Sequence, residues 1–375
     1  MTNGMSNIYH ILMKDLFRNL PYSFQKRAYT DILFVSDGAN WVLSWEMKEI
    51  RKIAGKIGIK TRATRGIPFG LPRQSIFFSS KYILRQIQRY ALSGTRIAFP
   101  YFHGYPDSAE PVAVECYENL KRSHQKICRI QVSHSKMHNF VLGTGIDPSK
   151  VFLIPIGINM DFFQHQSSEL RKAMRDKHGI PQQATVIGSF QKDGNGWDEG
   201  NDPKLIKGPD VFLEALKILR ESVPDIFVLL SGPARGYVKR GLGKIKIPYK
   251  HIYLEDYPQI GELYQCLDLY IIASREEGGP KAILESMASG VPLVTTRVGQ
   301  AMDLVEHGKN GWMVDVEDAE GLGFWAKKAL EDTANLEKIL VNGSLTAMAN
   351  NYNSQTILWK EFFHGFVDNV RWRRK

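Results

Sequence analysis

Ten short runs of Ile, Val, Leu and Phe, separated by stretches of helical periodicity, constrain this chain more than any other feature. The first series is "DILFVS", "RIAFPYF", "ICRIQVS" and "VFLIPIG". The second is "TVIGSF", "IFVLLSG", "HIYLE", "LDLYIIAS", "VPLVTT" and "GWMVD". Strands this uniformly apolar have no solvated face, so they belong in parallel sheets covered on both sides, with helices such as "PDVFLEALKILRES" as the covers. The expectation is a doubly wound α/β architecture, made twice.

A chain of 375 residues exceeds the ~250 residues one core comfortably serves, which also favours two domains. The polar stretch "QHQSSELRKAMRDKHGIPQQ" separates the series, placing the first domain at 1–164 and the second at 165–347. Residues 348–375 repeat large apolar side chains every fourth position, at Leu358, Phe362, Phe366 and Val370. That spacing predicts a closing helix.

The chain carries a net charge of +10, which favours an anionic partner: nucleic acid, an acidic membrane surface or a phosphorylated substrate. Much of the excess is local, with seven basic residues against Glu49 between Lys48 and Arg65, and "RWRRK" at the end. No segment approaches the ~20 apolar residues of a spanning helix, and the first residues lack the pattern of a signal peptide. A cytoplasmic protein is expected. The three cysteines, Cys116, Cys128 and Cys266, have no metal-binding spacing and read as buried thiols.

The chemistry concentrates in "EEGGPKAILESMASG" (276–290). It follows the apolar run ending at Ser274, and ligands of doubly wound sheets bind at the carboxyl ends of strands. Pro280 suits the first turn of the next helix and Gly290 its end. Gly278 and Gly279 allow close backbone approach, and a helix N-terminus offers unpaired N–H groups, so the loop suits a phosphate. Glu277 and Glu285 would repel phosphate, but as carboxylates they accept hydrogen bonds from hydroxyls on either side of it. Their spacing is ~12 Å along a helix. A nucleotide sugar fits.

In these residues the chain resembles the retaining GT-B glycosyltransferases of family 4, whose E-x7-E motif stands here as "EGGPKAILESMASGVPLVTTRVG", followed by "DLVEHGKNGWMVD". "KVFLIPIGINMDFF" corresponds more loosely to a further family stretch. The resemblance implies two Rossmann-like domains facing a central cleft, with the C-terminal helix returning to the first domain. It implies that Glu277 holds hydroxyls of the donor sugar, that Glu285 holds the nucleotide ribose, and that amides around Gly278 and Gly279 face the diphosphate. Where the family usually has Phe-Gly, this chain has Gly279-Pro280.

The family places cations against the leaving diphosphate, and Lys207, in a Lys-Gly pair, matches one of them. The other usually follows the first strand of the second domain, where this chain has Ser189 and then the insertion "DGNGWDEGNDP". Lys192 and Lys204 are alternative substitutes. The insertion does not make an EF-hand loop, since Trp197 stands at a ligand position and Lys204 replaces the closing glutamate. The resemblance also points to Gly38 and Asn40, in the turn after "DILFVS", and to His103, at the end of "RIAFPYF". A turn and a structural histidine are the plain alternatives for these.

The expected function is therefore an enzyme: a metal-independent, retaining glycosyltransferase, needing no cofactor. It would move a sugar from a nucleotide-sugar donor to a glycan or lipid-linked acceptor in bacterial cell-surface polysaccharide or glycolipid synthesis. The segment "WEMKEIRKIAGKIGIKTR" could hold it on the inner face of an anionic membrane, or could simply be a helix with one apolar core face. Other readings are a sugar-nucleotide epimerase of the same fold, a glycoside hydrolase, whose two carboxyls must lie within ~5–9.5 Å, and a basic nucleic-acid-binding protein, for which no recognised module is present.

Overall fold

The computed structural model describes residues 30–36, 42–65, 75–87, 95–108 and 111–367. It divides into two units: Met1–Val132 with Lys136–Ile154 and Thr356–Lys375, and Ser133–Ser135 with Pro155–Gln355. The chain thus changes unit at 154/155 and again at 355/356, where the sequence reading placed the divisions at 164 and 347.

Unit 1 is a six-stranded sheet in the order β2-β1-β3-β4-β5-β6. Its strands are β1 (Ile32–Ser36), β2 (Thr61–Arg65), β3 (Ser75–Phe78), β4 (Arg96–Pro100), β5 (Arg129–Val132) and β6 (Val151–Leu153). All neighbours pair in parallel. β2 and β3 are not among the apolar runs. "TRATR" is an edge strand with no buried residue, and its basic residues read as part of the charged cluster. "SIFF" has only four residues, although all are buried.

The helix Val42–Lys56 turns Met47, Ile50, Ile53 and Ala54 into the core of this unit. Its apolar face is therefore covered by protein and is not offered to a membrane. The basic residues lie on the other side: Lys52 pairs with Glu49 at 2.6 Å and Lys48 lies 4.1 Å from the Trp45 ring centre.

The predicted closing helix is shorter than its periodicity. It runs only from Thr356 to Phe363, because Gly365 adopts φ +71°, a left-handed conformation that ends a helix. Arg129 on β5 donates to the carbonyls of Phe362 (3.2 Å) and His364 (2.9 Å), taking up acceptors left open at that end. Trp359, Phe362, Phe363 and Phe366 are buried, and Trp359 and Phe362 meet Phe77 of β3 edge to face. Val370 lies outside the described residues.

Unit 2 contains the six predicted strands: β7 (Thr185–Phe190), β8 (Ile226–Ser231), β9 (Tyr249–Ile252), β10 (Leu269–Ile272), β11 (Leu293–Thr296) and β12 (Trp312–Val314). Their order is β12-β11-β10-β7-β8-β9, all parallel. The order reverses between β7 and β10, the kind of switch point at whose strand ends such sheets bind ligands. Apolar clusters cover both faces, one including Val186, Tyr270 and Ile283, the other Ile187, Leu216 and Ile271. Part of the basic excess is internal: Arg175 is buried and donates to the carbonyls of Cys266, Gln182 and Ala184 and to Asp268. Among the described residues no helix is long and apolar enough to cross a membrane.

Candidate active site

The loop leaving β10 is held from three sides, all within unit 2. Thr296 donates to the Ser274 carbonyl at 2.6 Å. Ser133 donates to the Gly278 carbonyl at 2.7 Å. Gly299, at φ +50°, lies so close that a Cβ there would come 2.7 Å from the same carbonyl oxygen. A Cβ on Gly279 would meet Gln300 Oε1 and Ile156 Cδ1, each at 2.8 Å. That crowding gives a physical reason for glycine at 279. The helix Ala282–Ser289 begins two residues later than expected, so Pro280 precedes it, and Gly290 at φ +69° ends it as predicted.

Glu277 sits on this loop with its carboxylate mostly covered. It accepts from Ser274 Oγ at 3.0 Å and from Lys207 Nζ at 2.6 Å. Lys207 reaches it because Gly208, at φ +61°, packs on the backbone of Ala273: a Cβ there would lie 1.8 Å from the Ala273 carbonyl oxygen. The amides of Arg275 and Glu276 both donate to the Ile206 carbonyl, at 2.8 and 3.0 Å. Arg275 completes the clamp with two bonds to Asp210 (2.8 and 2.7 Å), one to the Leu205 carbonyl (2.8 Å) and one to Glu317 (2.7 Å). The Asp210 carboxyl is held below its usual range by Arg275.

Glu285 lies in the first turn of its helix and is only 3% exposed. Tyr257 donates to one carboxylate oxygen and Tyr264 to the other, the latter at 3.0 Å. Burial pushes this carboxyl up from its usual range, while Tyr257, Lys281 and Tyr264 pull it back. Each oxygen retains a lone pair beyond its tyrosine bond, so a further hydroxyl can be accepted there.

At the end of β7, Ser189 accepts from a buried arginine that the sequence did not signal. Arg235 donates to the Ser189 hydroxyl (3.0 Å) and to the carbonyls of Ser189 (2.5 Å) and Ser231 (2.7 Å). Its guanidinium lies 2.9 Å from Asp193, which is also buried. This cation is neutralised and braces the loop. Lys192 is half-buried, 3.9 Å from the Trp197 ring centre, and its ammonium is lowered by burial and then by the nearby Lys204. The two lysines are thus neighbours. Gln191, beside them, donates to the Lys207 carbonyl at 3.1 Å and ties the start of the connection between β7 and the helix Pro209–Arg220 to its end.

His103 lies in unit 1, in the loop leaving β4, where its carbonyl accepts from the buried Lys81. Gly38 and Asn40 lie outside the described residues. Among the described residues, no group of three or more His, Cys, Asp or Glu is arranged to hold a metal ion. Unit 2 therefore brings Glu277, Lys207, Gly278 and Gly279 together, with Glu285 on the following helix. The residues that sequence reasoning missed are Arg275, Tyr257, Tyr264, Arg235 and Lys281. Lys281, four positions before Glu285, had a local signal; the others meet their partners only through the fold.

Residues 203–344 match the family described as glycosyl transferases group 1. Similar proteins include the lipopolysaccharide core biosynthesis mannosyltransferase LpsB of Rhizobium meliloti, 28% identical over 146 residues, covering 36% of this chain and 42% of that protein. Another is the N-acetyl-alpha-D-glucosaminyl L-malate synthase of Bacillus anthracis, 28% identical over 171 residues, covering 46% and 42%. Both matches span well under two thirds of the relative's length. Among solved structures, Anabaena HepE in complex with UDP and glucose superposes with a TM-score of 0.71 at 17% identity, covering 90% of this chain and 100% of that one. The sucrose-phosphate synthase of Thermosynechococcus elongatus gives 0.72 at 13%, covering 89% and 98%.

Two parallel α/β units of this kind, with the Glu277–Lys207 loop pair in the second, give the chain the same two-domain α/β fold, the GT-B fold, as these solved structures.

Proposed function

We propose that this protein transfers a sugar from a nucleotide-sugar donor to a hydroxyl of a glycan or lipid-linked acceptor, with retention at the anomeric carbon and without a metal ion. The observation that carries the reading is the Lys207–Glu277 pair at the carboxyl end of β10, where the strand order reverses. A lysine held there by a glycine turn offers further N–H donors to the departing diphosphate, where preorganised positive charge stabilises the developing anion. Glu277, paired with it, has lone pairs for the sugar hydroxyls. Lys192 and Lys204 add positive charge on the adjoining loop, and Glu285 is the acceptor for the ribose.

In the proposed reaction the bond between the anomeric carbon and the diphosphate oxygen breaks, and the acceptor oxygen bonds to the same face of the sugar. The acceptor proton passes to the departing phosphate oxygen. The relatives named as a lipopolysaccharide core mannosyltransferase and a glucosaminyl malate synthase support a bacterial glycan or glycoconjugate acceptor, and the net charge of +10 suits an anionic surface.

A thermal-shift screen against UDP-, GDP- and ADP-sugars tests the donor, since a ligand that binds only the folded state raises the melting temperature. Transfer to a panel of lipid-linked and free glycans then tests the acceptor. No shift with any nucleotide sugar would overturn the reading.

A further inference from the structure

Lys281 opens the helix that carries Glu285, yet it is only 6% exposed. A lysine at the start of a helix has an easy route to solvent, and burying its ammonium is costly without partners. Its Nζ donates to the Tyr352 hydroxyl at 2.6 Å and lies 5.1 Å from the ring centre of Tyr352 and 5.5 Å from that of Tyr257. Tyr257 in turn donates its hydroxyl to Glu285. One ring therefore touches the cation while its hydroxyl touches the carboxylate.

Tyr352 is itself fixed. It is buried, its amide donates to the Ile158 carbonyl at 3.1 Å, and Gly157 leaves it room: a Cβ there would come 3.0 Å from the Tyr352 ring. The groups facing Glu285 are Tyr257 from the turn before the helix Ile260–Tyr264, Tyr264 from that helix, Tyr270 from β10 and Lys281 from its own helix. Lys281 is the cation among them. Burial drives the Glu285 carboxyl upward, and the Tyr257 bond and then the Lys281 charge oppose it.

We propose that Lys281 is a positioning residue for the nucleotide half of the donor: anchored on Tyr352 and seated against Tyr257, it holds Glu285 as a charged, acceptor-only carboxylate for the vicinal ribose hydroxyls. The inference rests on the reading of Glu285 as the ribose acceptor. Lys281 itself contacts no substrate in this role. Its effect falls on discrimination between ribose and 2′-deoxyribose, which a cation that merely bound phosphate would leave alone.

The test measures calorimetric affinity of the full chain for UDP, GDP and ADP and for their 2′-deoxy counterparts, in wild type, Lys281→Met and Tyr352→Phe, at pH 7 and pH 9. In Lys281→Met, binding of the preferred ribonucleotide at pH 7 is expected to weaken about tenfold, the scale of one hydrogen bond to a charged group. Its advantage over the deoxy form should shrink by a similar factor, and both should recover at pH 9 as Glu285 ionises. Tyr352→Phe should show a smaller change in the same direction, and it carries the test if Lys281→Met fails to fold. Unchanged ribose discrimination in the variants, or a loss equal for both sugars at both pH values, overturns the proposal. If wild type binds none of the three diphosphates, the donor reading itself falls.

Discussion

Lys207 lies 2.6 Å from Glu277, across the gap between the turn before the helix Pro209–Arg220 and the loop leaving β10. Both ends are fixed by backbone, through Gly208 against Ala273 and through the Arg275 and Glu276 amides on the Ile206 carbonyl. The ammonium is thus placed before any ligand arrives. Preorganisation of this kind is what makes electrostatic stabilisation effective, since no reorganisation is needed when the charge develops.

Lys207→Ala is therefore expected to lower the transfer rate by about 10²–10³, the scale of losing one preorganised group at a developing anion. Because the partner carboxylate is then left uncompensated, Lys207→Ala and Glu277→Ala should combine non-additively. Steady-state kinetics of the two single variants and the double variant measure this. Full activity in Lys207→Ala would remove the residue from the site.

Gly208→Ala should destabilise unit 2, because the added methyl would meet the Ala273 carbonyl and φ +61° is strained for alanine. A loss of more than about 1 kcal/mol is expected. Gly243→Ala is the control: within the helix Gly236–Lys244 its methyl would meet nothing within 4 Å, so that change should be neutral or stabilising by up to about 1 kcal/mol. Denaturant titration distinguishes the two.

Arg275→Met removes the clamp that ties the Lys207 turn to the Glu277 loop. Transfer should fall while the folded state persists, with a stability loss of about 1–3 kcal/mol from the broken hydrogen bonds to charged groups. Asp210 adds a pH signature. Its folded pKa is depressed below the usual 3.8, so the stabilisation is present above 3.8 and is lost as pH falls through the depressed value. The variant should lack that acid-side loss, which melting curves from neutral to acid pH would register.

Glu285 has the opposite sign. Its folded pKa is raised above the usual 4.5, so the native state holds the proton more tightly than the unfolded chain does. Stability falls as pH rises from 4.5 to the folded pKa and then levels. In Glu285→Gln, which cannot ionise, this slope should vanish, and the difference in melting temperature between variant and wild type should grow in the variant's favour across that interval. The same variant should bind the donor more weakly at neutral pH. A parallel pH course for the two proteins would show that Glu285 does not titrate differently on folding.

Much of the architecture is legible in sequence because a buried parallel strand leaves a local apolar run. All six strands of unit 2, the helix end at Gly290 and the loop containing Glu277 can be placed from such signals. The strands β2 and β3 escape for two reasons: "TRATR" is an exposed edge without apolar alternation, and "SIFF" is too short to separate from an apolar turn. The period-four run near the C-terminus overstates its helix, since side-chain spacing does not report that Gly365 leaves the helical region.

The sequence by itself determined that the chain makes two covered parallel sheets and that a glycine-rich loop with Glu277 leaves a strand end, because apolar periodicity and glycine placement act on neighbours along the chain. Only the tertiary structure decided which charges meet: Lys207 with Glu277, Arg275 with Asp210, Arg235 with Asp193, and Lys281 with Tyr352 near Glu285. Those pairings depend on strand order and on how closely glycines let two loops approach. No local pattern records either.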